Sequence, residues 1–159
     1  MKPVIRSAGS EDLNAVQPLA EALHHLHHQQ RPDLFPEFDA GSFRHQFLAA
    51  LCRTDAQIFL AVSEEKQLLG YCSACSRLRT YPGLPASRIL SVEELFVLPG
   101  FRREGIGSAL FRHALDWGRQ LGARSAELTV WGFNREAEDF YHRFGMAVRS
   151  SMLELPLDL

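Results

Sequence analysis

Glu93-Glu94-Leu95-Phe96-Val97-Leu98-Pro99-Gly100-Phe101-Arg102-Arg103-Glu104-Gly105-Ile106-Gly107 is the stretch that decides the fold. An apolar, strand-like run gives way at Pro99-Gly100 to a short polar turn holding two glycines two residues apart. Beyond the turn, Leu110, Ala114, Trp117 and Leu121 fall on one face of a helix, and Gly122 stands where a C′ residue would end it. Residues 125–131 then read as a strand. A strand over 88–98, a turn, a helix and a second strand make a right-handed crossover with parallel strands. The turn is thereby set at the carboxyl end of a strand, where α/β sheets bind ligands. A glycine turn at a helix N-terminus presents a row of bare backbone N–H groups, a site suited to a phosphate or pyrophosphate.

Upstream, residues 4–7 read as a first strand. Ser10-Glu11-Asp12 supplies a cap and an acidic first turn. Leu13, Val16, Leu19, Ala20, Leu23 and Leu26 recur at helical spacing, which predicts a helix over 11–28, bent or split at Pro18. Arg31–Pro36 breaks into a loop, and Phe43, Phe47, Leu48 and Leu51 mark a second helix over about 40–52. Residues 55–63 and 68–78 read as antiparallel partners around a polar turn, with a loop near 81–85. Downstream, Asn134 caps a helix to about residue 144, with Ala137, Phe140, Tyr141 and Phe144 on one face and Gly145 as its stop. Residues 147–155 read as a last strand or short hairpin. The expectation is a mixed α/β sheet of six or seven strands, flanked by four helices on both faces.

A chain of 159 residues is most simply one domain, 1–159. A hydrophobic content of 46% with 23% charged residues fits a globular protein with a substantial core. The net charge of −2 gives no basic excess for nucleic acid. The N-terminus has no apolar signal-peptide core, and no apolar run is long enough for a bilayer, so the expectation is a cytoplasmic protein without membrane partners. Cys72 and Cys75 have CxxC spacing, but residues i and i+3 of a strand point to opposite faces, which defeats chelation. His24 and His28 lie one helical turn apart, yet no third ligand is identifiable, so no metal is expected.

Two segments together resemble the GNAT superfamily of acetyl-CoA-dependent N-acetyltransferases. Glu93–Gly107 is similar to the family's strand followed by (Gln/Arg)-x-x-Gly-x-(Gly/Ala). Asn134-Arg135-Glu136-Ala137-Glu138-Asp139-Phe140-Tyr141-His142-Arg143-Phe144-Gly145-Met146 resembles its Asn-x-x-Ala-x-x-Phe-Tyr-x-x-x-Gly-Phe, with Met146 for the final Phe. The resemblance covers about 90–155; residues 1–89 agree in element order alone. It implies acetyl transfer from acetyl-CoA to an amine in a ternary complex, and a homodimer as a family-level expectation.

On that resemblance, backbone N–H groups from Arg103, Glu104, Gly105, Ile106, Gly107 and Ser108 cradle the CoA pyrophosphate, with Arg102 or Arg103 adding charge and Glu104 pointing outward. The pantetheine runs between splayed strands ending near Val97 and Trp131, paired with the backbone of Leu95, Phe96 and Val97. The Val97 N–H polarises the thioester carbonyl. Asn134 touches the pantetheine or caps its helix. Tyr141 matches the general acid that protonates the CoA thiolate, though its spacing also suits a core tyrosine. Glu93 matches the acid of polyamine acetyltransferases and is favoured as base over Glu94; neighbouring strand residues face opposite ways, so one of the two is expected in the cleft.

By family position, the end of the first helix and its following loop wall the acceptor pocket. His28, Asp33, Phe35 and, from the 79–87 loop, Tyr81 are its candidate residues. A small amine or polyamine is the first acceptor reading. A peptide or protein N-terminal amine or lysine is the alternative, as is a non-catalytic acyl-CoA-binding module.

Overall fold

The computed structural model describes residues 2–157. Five strands and four helices are formed among the described residues: β1 (Val4–Ser7), α1 (Leu13–Gln30), α2 (Ala40–Leu51), β2 (Ala56–Val62), β3 (Leu68–Arg79), β4 (Ser87–Val97), α3 (Ile106–Gln120), β5 (Ser125–Glu127) and α4 (Arg135–His142). The chain divides into two compact units, Met1–Leu128 and Thr129–Leu159.

The first unit holds a mixed sheet in the order β1-β2-β3-β4-β5. The first three pairings are antiparallel, and β4 with β5 is parallel, as the crossover requires. β2 is buried along nearly its whole length because both sheet faces are covered. Ile58, Leu60, Tyr71 and Phe96 face α1 and α2, in a core with Leu13, Val16, Leu19, Ala20 and Phe47. Phe59, between Ile58 and Leu60, turns the other way and meets His113 and Trp117 of α3 at ring distances of 4.8 and 5.8 Å. α3 presses close at Gly118, where a Cβ would stand 3.0 Å from Leu90.

α1 starts at Leu13 instead of residue 11, because Ser10–Asp12 forms a 3-10 turn. Asp12 is drawn into that turn. It accepts from the Gly9 N–H at 2.8 Å and from both terminal nitrogens of Arg6 at 2.7 and 2.8 Å. Pro18 neither splits nor ends the helix. It removes a single ladder donor, while Val16, Leu19 and Ala20 around it are anchored in the core. α2 begins where Asp39 caps it, accepting from the Ser42 N–H at 2.7 Å.

The expected six or seven strands are five. β5 ends at Glu127 instead of reaching residue 131, and residues 146–157 form no helix or strand. A strand exists through its ladder, and alternation in the sequence cannot supply the partner. Cys72 and Cys75 point to opposite faces of β3 and are free thiols.

The second unit is built around α4. Asn134 caps it, its Oδ1 accepting from the Ala137 N–H at 3.1 Å. Trp131 and Phe133 stack ahead of the cap at 6.2 Å, and Phe140 meets the rings of Tyr141 and Phe144 at 5.0 and 5.2 Å. Gly145, at φ +84°, ends the helix.

Candidate functional site

The carboxyl end of β4 is built for a ligand. The Leu98 N–H donates to the Leu69 carbonyl at 2.9 Å, so Phe96 and Leu98 direct their backbone groups toward β3. Leu95 and Val97, of opposite parity, present theirs to the other edge. On that side the β4–β5 ladder reaches only Ser91 paired with Glu127. Beyond it, residues 92–97 of β4 have no ladder partner on that edge among the described residues. Arg102 closes the lower end, donating from Nε to the Val97 carbonyl at 3.1 Å with its guanidinium 5.6 Å from the Phe96 ring.

The segment after β4 passes through a 3-10 turn at Pro99–Phe101 and leads into α3, which packs across β2, β3 and β4. Gly105 takes φ +82°, a left-handed conformation that penalises any side chain, and stands as the helix N-cap. Arg103 shares that region at φ +65°. Ile106 is buried under the turn, whereas Arg103 and Glu104 are exposed. The result is a helix N-terminus whose first N–H groups, from Ile106, Gly107 and Ser108, are oriented for an anion. Arg102 donates to the strand end, whereas the Arg103 side chain is exposed beside the turn.

Glu93 and Glu94 share one face of the sheet, contrary to the alternation expected of neighbours. The register shifts between Ser73 and Ala74: Glu94 pairs with Ser73 and Val92 with Ala74, so Glu93 is an extra residue in a β-bulge. The Cys75 thiol donates to Glu93 Oε1 at 3.5 Å, and the Tyr71 hydroxyl donates to Glu94 Oε2 at 2.7 Å. Cys75 and Tyr71, four residues apart on β3, lie on the same side. Both glutamates remain accessible to solvent.

Burial by the surrounding protein raises the Glu94 carboxyl above its ordinary value. The Tyr71 hydroxyl and the nearby His24 pull it back down, while the Glu93 charge pushes it up. Burial is also the first reason that the Tyr71 phenol is held well above the usual tyrosine range, reinforced by the Glu94 charge. Sequence reasoning missed Tyr71, which reads as one more apolar strand residue. Its only signal was a phenol that needs a partner when buried.

The loop after α1 is strapped back onto that helix. His24 Nε2 donates to the Pro36 carbonyl at 2.7 Å and His28 Nδ1 to the Phe35 carbonyl at 2.6 Å. Phe35 stacks on His27 at 5.0 Å, and burial lowers the pKa of His27. Asp33 pairs twice with Arg31, at 2.7 and 2.8 Å. His28, Asp33 and Phe35 are thus brought into one loop–helix corner, whereas Tyr81 sits on the separate 79–87 loop, 54% exposed. Among the described residues no three His, Cys, Asp or Glu side chains cluster to hold a metal, and no helix is long and apolar enough to cross a membrane.

Asn134 and Tyr141 belong to the second unit. Asn134 is a helix cap, and Tyr141 is half-buried with its ring edge-on to Phe140.

A profile of the acetyltransferase (GNAT) family matches residues 20–146. The chain belongs to the GNAT acetyltransferase family. Among its relatives, streptothricin acetyltransferase of Streptomyces lavendulae is 34% identical over 93 residues, 58% of this chain and 46% of that protein. Aminoalkylphosphonate N-acetyltransferase of Salmonella typhimurium is 31% identical over 141 residues, 89% of this chain and 82% of that one. The match spans less than half the length of the first two curated relatives, though most of the length of others. A crystallised mutant protein of Bacillus halodurans superposes on this GNAT chain with a TM-score of 0.87 at 26% identity, over 97% of this chain and 99% of its own.

Proposed function

We propose that residues 1–159 act as one N-acetyltransferase domain that moves an acetyl group from acetyl-CoA to a primary amine by direct attack in a ternary complex. The observation that carries this reading is the continuity of two features. The unpaired edge of β4 ends at Val97 and is followed, after a 3-10 turn at Pro99–Phe101, by the left-handed Gly105 turn at the start of α3. An extended pantetheine can add to that edge as a strand would, with its pyrophosphate on the helix N-terminus. Residues 103–108 hold the diphosphate, and Arg103 supplies the charge that Arg102 has spent on Val97.

Acetyl transfer needs a neutral amine, a polarised carbonyl and a protonated leaving thiolate. The Val97 N–H, directed to the open edge, donates to the thioester oxygen as negative charge develops there. An alkyl ammonium has a pKa of about 10 and must lose a proton at neutral pH. The bulge gives the site two carboxylates on one face, a suitable dock for that cation. Glu93, held by a weak thiol contact, takes the proton directly or through water. Glu94, held by Tyr71, fixes the second negative charge. Tyr141 protonates the departing CoA thiolate, a role worth roughly 10²–10⁴-fold.

The names of the streptothricin and aminoalkylphosphonate acetyltransferases support a small amine or polyamine as acceptor. The wall of that pocket is assigned to His28, Asp33 and Phe35, with Tyr81 at its lip. The decisive experiment is thiol release from acetyl-CoA across a panel of polyamines, aminoglycoside-type amines, peptides with free N-termini and lysine peptides. Turnover confined to the small amines is expected. Turnover confined to peptides overturns the acceptor, and CoA binding without turnover of any amine overturns the enzyme reading.

A further inference from the structure

The sheet face that holds the acid pair continues past Glu93. Tyr71, Cys75 and Arg77 occupy positions of like parity on β3 and so line one face. Tyr71 bonds Glu94 at 2.7 Å and Cys75 meets Glu93 at 3.5 Å, so the next level along the strand belongs to Arg77. A second guanidinium arrives from the residues joining α2 to β2. There the Ser76 N–H donates to the Asp55 carbonyl at 2.7 Å and Ala56 pairs with Cys75, which sets the junction alongside β3 at Cys75 and Ser76. Arg53, in that junction, donates from Nε to Asp55 at 2.8 Å. A guanidinium has two further nitrogens from which to donate. Arg53 and Arg77 are both exposed.

The Cys75 thiol feels both cations. Burial and the Glu93 charge raise it above the ordinary thiol range, while Arg53 and Arg77 pull it back down. The thiol that touches the acid thus also lies within electrostatic reach of two guanidiniums. Charge therefore changes sign along this face. Glu94 and Glu93 stand at one level and Arg53 and Arg77 at the next, with Asp55 countering Arg53. Two arginines against that carboxylate leave a positive excess. Cys75 and Arg77 are two residues apart, a separation of about 7 Å along a strand.

We propose that the acceptor is a primary amine carrying an anionic group, carboxylate or phosphonate, at the far end of a short aliphatic spacer. Its ammonium docks on Glu93 and Glu94 and its anion on Arg77 and Arg53. The assignment rests on the acid pair as the amine dock, and it narrows the small-amine reading to a dipolar molecule. A planar guanidinium receives either anion through paired N–H donors. A spacer of about three carbon atoms between amine and anion matches the span between the two levels. A diamine of equal length would set its second ammonium against two guanidiniums, a repulsion that selects against it. An amine with an uncharged end gains nothing from the arginines.

Amines of matched length test this on the full chain with acetyl-CoA: γ-aminobutyrate, 3-aminopropylphosphonate, butylamine and 1,4-diaminobutane. At least one of the two anionic-ended amines should exceed butylamine in kcat/KM by about fivefold or more, and the faster of them names the anion. The diamine should fall below butylamine. Arg77→Gln should lower kcat/KM for the favoured anionic-ended amine about fivefold more than for butylamine, and through KM. Arg119→Gln removes the same charge at an exposed position of α3 and should keep the wild-type preference. Titration calorimetry of γ-aminobutyrate, 3-aminopropylphosphonate and butylamine into the protein–CoA complex reads the same preference without turnover. Tighter binding of an anionic-ended amine with no acetylation of any amine would retain the dipolar dock and remove the enzyme reading. Turnover of all the amines at equal kcat/KM would do the reverse. A preference for the diamine, equal losses for the anionic-ended amine and butylamine in Arg77→Gln, or a lost preference in Arg119→Gln would each overturn the proposal.

Discussion

The hydroxyl of Tyr71 donates to Oε2 of Glu94 at 2.7 Å, joining the 1% exposed phenol of β3 to a carboxylate on β4 that solvent still reaches. The bond explains how a tyrosine is tolerated in the core beside Leu60 and Phe96: its one polar atom is satisfied at the rim. It also holds Glu94 at a fixed angle beside Glu93.

Glu94 has a raised carboxyl pKa, so the folded state binds its proton more tightly than the unfolded chain does. Its stabilising contribution is complete below the ordinary carboxylate range and is lost as pH rises through the raised value. Glu94→Gln should therefore have a Tm equal to or above wild type at neutral pH, with the difference shrinking as the buffer is acidified. Tyr71→Phe should lower stability by about 1 kcal/mol, since it removes one hydrogen bond and little volume. Thermal melts across pH check both.

The two carboxylates should separate kinetically. Glu93→Gln is expected to lower kcat roughly 10²–10⁴-fold. Glu94→Gln should mainly raise the amine KM. In the wild type, amine KM should begin to rise on acidification above the usual carboxylate range, because Glu94 protonates early. Steady-state kinetics of both variants against pH decide the assignment. Equal effects on kcat would show that the pair acts as a unit.

Gly105→Ala forces a side chain into φ +82°. The strain is about 1–2 kcal/mol, so the CoA Kd should weaken roughly 5–30-fold through the displaced turn. Calorimetric titration of CoA measures it, with an unchanged affinity counting against a pyrophosphate site at this turn.

Tyr141→Phe should reduce kcat by roughly 10²–10⁴-fold with the acetyl-CoA KM little altered. A single-turnover measurement of thiol release isolates the chemical step. Undiminished chemistry there would leave Tyr141 as a packing residue.

Asp12 has a lowered pKa, first because Arg6 hydrogen-bonds its carboxylate and then because the Gly9 N–H does. That stabilisation is present above the unfolded carboxyl value and is lost as pH falls through the folded one. Asp12→Asn should cost about 1–2 kcal/mol at neutral pH. Urea melts at decreasing pH should show the two proteins converging below about pH 4, where the unfolded carboxyl takes up its proton.

Local signals carried the donor half of the site. The Gly105 turn, the amphipathic α3, the stop at Gly122 and the Asn134 cap each depend on residues within a few positions of one another, so the sequence from Glu93 to Gly145 determined them by itself. The helix–loop corner around His28, Asp33 and Phe35 was legible as a wall but not in its bonding, since His24 and His28 find their carbonyl partners twelve and seven residues away. Tertiary structure alone decided the rest. Whether β5 stops at Glu127, and whether 147–157 is a strand, depends on which ladder is offered to it. The same holds for the acid pair. A register shift in β4 against β3 is invisible in a stretch that reads Val92-Glu93-Glu94-Leu95, yet that one unpaired residue turns two neighbouring carboxylates onto a single face and sets Glu94 within reach of Tyr71.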